Sequence, residues 1–311
     1  MIRSRPHIGR PRRTIFPLFV LPMVSFVLQA QELPAGATPR GVVHAFLSRT
    51  ASADDSVDRS LFRSRFSGEL SGVDPERFRA LVPAGARFRI DTIPDIRNAP
   101  DGRRRAVAYV TIESAREKQD LYIFCIGDSL WRLEAIHRFP TPSQRAQITS
   151  SLRDIDTAVA SYRTLHADLK RLLLPDDSLK AIFRQNLRPI TALVTRLAGG
   201  ERWERFVIRD VNFAELDEYR ELDDDIPERD LIFYTLDRGA LERVKRELGI
   251  RRIERDKRHP GILLLVAGEI ESSSYGYIYA PSADLLPPIS PDGYLALKPT
   301  AKGWWLYKRR V

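Results

Sequence analysis

Apolar side chains recur every three or four positions early in the chain and every second position soon after. Val42, Val43, Phe46 and Leu47 fall on one helical face, with Thr38 placed to cap that helix and Pro39 at its first position. Leu61, Phe62, Phe66 and Leu70 continue the helical spacing, and Pro75 to Leu81 reads as a further short helix. The period then changes to two. Phe88 and Ile90 alternate with Arg87, Arg89 and Asp91; Val107, Tyr109 and Thr111 share one strand face, while Ala108, Val110 and Ile112 share the other. Leu121 to Ile126 and Leu130 to Ile136 read as two more strands, with turn signals at Pro100-Asp101-Gly102 and Gly127-Asp128. Helices followed by consecutive antiparallel strands describe an α+β domain, a curved sheet wrapped around its helices.

From Ser143 to Leu174 the helical period returns without a break. Ile148, Leu152, Ile155, Val159, Tyr162, Leu165 and Leu169 predict one long amphipathic helix. Pro175-Asp176-Asp177 closes it and opens a second helix, kinked at Pro189 and ended by Gly199-Gly200, so residues 143–200 read as a helical hairpin. Beyond it, strands at 206–211 and 231–236, a helix at 240–248, and strands at 262–267, 275–279, 294–298 and 304–308 predict a small C-terminal α+β sheet. Pro140 and Pro142 interrupt helix and strand alike, which puts a domain boundary near Phe139 to Ser143. The expected organisation is a 31–142 domain able to fold alone, the hairpin, and a 201–311 domain.

The first thirty residues follow another rule. Arg3, Arg5, Arg10, Arg12 and Arg13 precede an apolar run of 14 residues, Ile15 to Leu28, and then the small Ala30 and the polar Gln31-Glu32. This is the order of a secretory signal peptide. A spanning helix needs about 20 apolar residues, and Pro17 and Pro22 interrupt this shorter run. The expectation is an exported chain, periplasmic or extracellular, attached to a membrane only if the signal stays uncleaved. Its loss changes the charge argument. The whole chain carries +9, but without those five arginines 45 basic side chains face 41 acidic ones, a net charge of +4. So small an excess does not point to nucleic acid, which calls for a clustered basic face.

Three stretches of the 38–142 segment carry a resemblance: the opening helix Pro39 to Leu47 with its Ala45-Phe46-Leu47 end, the strand Ala106 to Ile112 after Asp101-Gly102, and the last strand Leu130 to Ile136. Together they resemble the cone-shaped domain of nuclear transport factor and ketosteroid isomerase. That family includes isomerases, cyclases and non-catalytic export modules, and the resemblance implies a pocket inside the cone. Enzymes of this kind aim acids or phenols into it. Tyr109 is the candidate here, with Asp91, Glu134 and His137 also considered; alternation puts Asp91 and Glu134 at outward polar positions.

Further chemistry is sparse. Cys125 stands alone, so no disulfide forms within the chain and no thiolate zinc site is expected; its apolar run Leu121 to Ile126 predicts a buried, inert thiol. His44, His137, His166 and His259 lie far apart, and no phosphate loop, nucleophile elbow or zinc-protease motif occurs. Asp223-Asp224-Asp225 reads as a solvated turn and Ser272-Ser273-Ser274 as a loop. No cofactor and no metal are expected. The unusual feature is aromatic: Tyr275, Tyr277 and Tyr279 share one strand face, and Tyr294, Trp304, Trp305 and Tyr307 follow. The pattern of Gly276 to Tyr279 and Gly303 to Lys308 resembles C-terminal modules of bacterial secreted proteins, a likeness that implies no activity. Such a face serves either as a recognition surface or as cross-strand core. As a binding site it would comprise Tyr275, Tyr277, Tyr279, Trp304 and Tyr307. The sequence thus reads as an exported, non-enzymatic binding protein of the cell envelope whose partner is a protein, a peptide or a cell-wall ligand. The rival readings are a small-molecule isomerase or cyclase working in the cone and an inhibitor or immunity protein.

Overall fold

A computed structural model describes residues 38–51, 59–78, 81–83, 86–91, 97–98, 102–115, 117–198, 205–207, 238–256 and 258–310. The leader, the strand expected at 231–236 and the acidic turn at 223–225 lie outside them. The fold is α+β, with two antiparallel sheets and the helices between and beside them.

Helix α1 (Pro39–Thr50) is capped by the Thr38 side chain, whose Oγ1 accepts from Gly41 N at 3.0 Å. Its apolar face meets sheet 1, made of β1 (Arg87–Ile90), β2 (Arg97–Asn98), β3 (Arg104–Glu113), β4 (Lys118–Gly127) and β5 (Trp131–Arg138) in the order β1-β3-β4-β5, with β2 also on β3. Among the described residues of 61–81 there is no α-helix; Leu61, Phe62, Leu70 and Phe78 lie in short 3-10 turns at Arg59–Arg65, Gly68–Leu70 and Pro75–Phe78, with Phe66 and Leu81 just outside them. The reason is visible in the backbone: Ser67 N donates to Leu133 O at 2.9 Å, a bond to β5 instead of to a preceding helical turn.

The long helix expected at 143–174 is two helices, α2 (Pro142–Asp154) and α3 (Ala160–Leu172). Ile155 leaves helical geometry with ψ at 118°, and Asp156 Oδ1 then accepts from Ala158 N at 2.9 Å. A short Asp side chain that bonds the backbone two residues on ends a helix that apolar spacing alone would continue. The next break also differs from expectation. It falls at Asn186, between α4 (Asp176–Gln185) and α5 (Leu187–Ala198), and Pro189 sits in the first turn of α5. There its missing N–H removes no helical bond. Helix α6 (Arg238–Leu248) follows, and sheet 2 has the order β10-β11-β9-β8-β7-β6, with β6 Arg205–Val207, β7 Arg252–Arg255, β8 Leu263–Ile270, β9 Ser273–Tyr279, β10 Tyr294–Ala301 and β11 Trp304–Arg310.

Alternation gives each sheet two faces, and each face has its own cover. Ala106, Ala108, Val110, Leu121, Ile123, Cys125 and Leu133 meet α1. Val107, Tyr109, Tyr122 and Phe124 project from the other side of sheet 1 and join one continuous core with α2 to α6 and the inner face of sheet 2. The outer face of sheet 2 carries a smaller cluster of Ile262, Leu264, Ile278, Leu297 and Tyr307, closed by Leu286.

Two glycines make the inner sheet possible. A Cβ on Gly268 would stand 2.3 Å from the Tyr275 ring, and one on Gly276 would stand 1.9 Å from the backbone oxygen of Leu265. The second neighbour is main chain and cannot swing away. Gly276→Ala is therefore expected to destabilise the protein by about 3 kcal/mol, read as a lower midpoint in urea; an unchanged midpoint would mean that β8 and β9 can separate locally.

Candidate functional site

The aromatic side chains read as either a recognition face or cross-strand core lie largely inside the protein. Tyr275 and Tyr277 are each 1% exposed, Trp304 is 1% exposed, and Tyr279 stands half-buried beside Trp304 with ring centres 5.1 Å apart. Phe183 of α4 stacks against both Tyr277 (4.3 Å) and Trp304 (5.0 Å), and the Tyr277 hydroxyl donates to Leu179 O at 3.0 Å. Tyr307 points the other way, into the outer cluster against Tyr294. Four of these five residues are core, Tyr279 packs half-buried against it, and together they do not form one surface. Alternation tells which residues share a face; it does not tell which face the helices cover.

Tyr109 corrects its expected place as well. It faces sheet 2, not the α1 side, and its hydroxyl accepts from Leu297 N at 3.1 Å and lies 3.4 Å from Leu297 O. The α1 side is filled by Phe46, Phe62, Phe66 and Phe78 in edge-to-face contacts. Glu134, expected outward, is buried and paired with Arg105 at 2.9 Å, because the 3-10 turn at Gly68 lies over it. Asp91 accepts from Thr111 Oγ1 at 2.9 Å. His137 lies 3.4 Å from Glu69 Oε2 and titrates at about 4, because burial and the nearby Arg310 disfavour its charge. Burial likewise pushes the Cys125 thiol far up, in keeping with an inert side chain.

Where the two sheets meet, sequence reasoning missed a group of buried charges. Asp176, the first residue of α4, is 1% exposed, and its carboxylate accepts from Lys298 Nζ at 2.7 Å, Lys308 Nζ at 2.5 Å and the Tyr122 hydroxyl at 3.0 Å. Its own backbone N–H donates to Asp120 Oδ2 at 2.7 Å. Two carboxylates thus answer two ammonium groups. Burial alone would raise the Asp176 pKa, but Lys308 and Lys298 outweigh it and hold it well below the usual carboxylate range. Asp120 shifts the other way, raised by burial and by the like charge of Asp176 against the two lysines. A signal did exist: Lys308 follows Trp304 and Leu306 at alternate positions of one strand, a cation on an otherwise apolar face.

Asp120 also borders an open cleft of about 460 Å³. Its walls are the start of β4, Arg138 at the end of β5 with Phe139 and Pro140 after it, helix α2, and the α3–α4 turn at Leu173 and Leu174. The wall is apolar on the proline and leucine side and charged on the side of Arg138 and Arg145. A second cleft, about 710 Å³, lies on the outer side of sheet 2. Two of its three acids are already answered: Asp256 accepts from His259 (3.2 Å) and Tyr294 (3.1 Å), and Glu254 pairs with Arg252 at 2.5 Å and lies 3.8 Å from Arg309; Asp292 is exposed. Among the described residues no three His, Cys, Asp or Glu side chains are grouped to hold a metal ion, and no helix is long and apolar enough to cross a membrane. No family model, no curated protein and no solved structure matches this chain.

Proposed function

We propose that this chain is an exported, non-enzymatic binding protein of the cell envelope, and that its ligand occupies the cleft between β4, β5, α2 and the α3–α4 turn. One observation carries the reading: the cleft combines apolar and charged walls, and Asp120 in its lining is held by the Asp176 backbone and the buried lysines. Preformed sites for small molecules have this mixed character. The ionisable groups that converge beside it are saturated by one another, which suits a rigid wall better than proton transfer. Export rests on the basic, apolar and small-residue order of positions 1–30. The likeness to the nuclear transport factor cone supports the same reading through its non-catalytic members, since here four phenylalanines occupy the α1 side.

Native mass spectrometry of the chain exported by its own host tests both parts. The polypeptide mass is expected to begin at Gln31, and a non-covalent small-molecule adduct is expected on it. Thr149→Trp, which fills the cleft from α2, should abolish the adduct without lowering the melting temperature. An adduct that survives in that variant would put the ligand elsewhere.

A further inference from the structure

The charges around the cleft are not equally compensated. Arg145 pairs with Glu117 at 3.0 Å, and Lys118 pairs with Glu113 at 3.1 Å and Asp177 at 3.4 Å. Asp120 is taken up by the Asp176 backbone and the buried lysines. Arg153 is exposed to solvent on α2. Arg138 differs from all of these. It is half-buried at the end of β5, and among the described residues no carboxylate lies within ion-pair distance of it; its Nη2 donates to the backbone oxygen of Leu81 at 2.8 Å. Burial lowers its pKa, with Glu117 opposing and Arg145 adding to the effect, so its charge is held against a cost.

A guanidinium offers five N–H donors in a planar fork, and Leu81 accounts for one of them. The fork matches a carboxylate through two parallel hydrogen bonds, and Arg138 is the half-buried cation of the cleft left without a carboxylate among the described residues, whereas Arg153 stays in solvent, so one negative charge suffices to pair it. Phe139, Pro140, Leu173 and Leu174 line the same cleft and leave room for an apolar body. Resting on the reading of this cleft as a ligand site, we infer that its occupant is a monocarboxylate with an apolar body. The carboxylate pairs with Arg138, and the body lies against Phe139, Leu173 and Leu174.

The test is calorimetric titration of the exported chain with three probes of equal chain length: octanoate, 1-octanol and octyl phosphate. Octanoate is expected to bind tightest. Arg138→Gln should weaken octanoate by about 10- to 100-fold, the loss of a charged hydrogen-bonded pair, and leave octanol unchanged. Arg138→Lys keeps the charge but not the fork, so it should recover only part of the affinity; it also serves if the glutamine variant does not fold. Equal binding of octanol and octanoate, or octanoate binding untouched by either variant, overturns the carboxylate while leaving the cleft a ligand site. Preference for octyl phosphate overturns it in favour of a dianion. Failure of all three probes also overturns it, and the cleft itself falls only if the native adduct survives Thr149→Trp.

Discussion

Asp176→Asn is expected to remove about 3–5 kcal/mol of stability, the range for deleting one partner of a buried ion pair. The amide leaves Lys298 and Lys308, 6% and 1% exposed, with no full charge on the atoms they now touch. Urea unfolding at neutral pH measures the change; a loss under about 1 kcal/mol would mean that Asp120 turns to receive both ammonium groups. The pH dependence follows from the shifts. The folded pKa of Asp176 is depressed, so its contribution is fully present above the unfolded value, about 3.9, and is lost as pH falls through the folded one. Asp120 is raised, so its contribution has the opposite pH slope: it is fully present below the unfolded value and is lost as pH rises through the folded one. Stability of the natural chain should therefore decline below about pH 4, and the Asp176→Asn variant should lose less over that interval. Replacing all four charges together, with Asp120→Asn, Asp176→Leu, Lys298→Met and Lys308→Met, should restore most of the stability. Breaking such a group is costly, whereas exchanging the whole of it for apolar volume often is not.

Expressed alone, residues 31–142 are expected to show no cooperative thermal transition. The fragment keeps α1 and its phenylalanines, but it bares Tyr109, Tyr122, Phe124 and Phe139, all at most 7% exposed in the whole chain. Four large side chains at about 1.5–3 kcal/mol each amount to much of the 5–15 kcal/mol that holds a domain together. Tyr122 and Asp120 also lose Asp176 and the two lysines. Circular dichroism on heating, with binding of a hydrophobic dye, reads the outcome. A sharp transition near that of the full chain would show that the α1 core suffices, and that Phe139 to Ser143 marks a folding boundary.

The α+β class, most strands of both sheets and the pairing of side chains on each strand face were legible in the sequence, because they depend on periods of two and 3.6 set by the local backbone. So was the burial of Cys125, from its run of apolar neighbours. The break at Ile155 to Val159 was harder, since apolar spacing continues straight through it; the stop comes from the Asp156 side chain bonding its own backbone. The candidate site was not legible at all. Arg138 and Asp120 are ordinary strand-end charges in sequence, and only the fold brings α2 and the α3–α4 turn over them. The same holds for the aromatic face: the sequence determined that Tyr275 and Tyr277 point together, and the tertiary structure decided that α4, carrying Phe183, lies on them. Which side of a sheet meets solvent depends on elements more than ninety residues away, whereas side-chain alternation is decided one residue at a time.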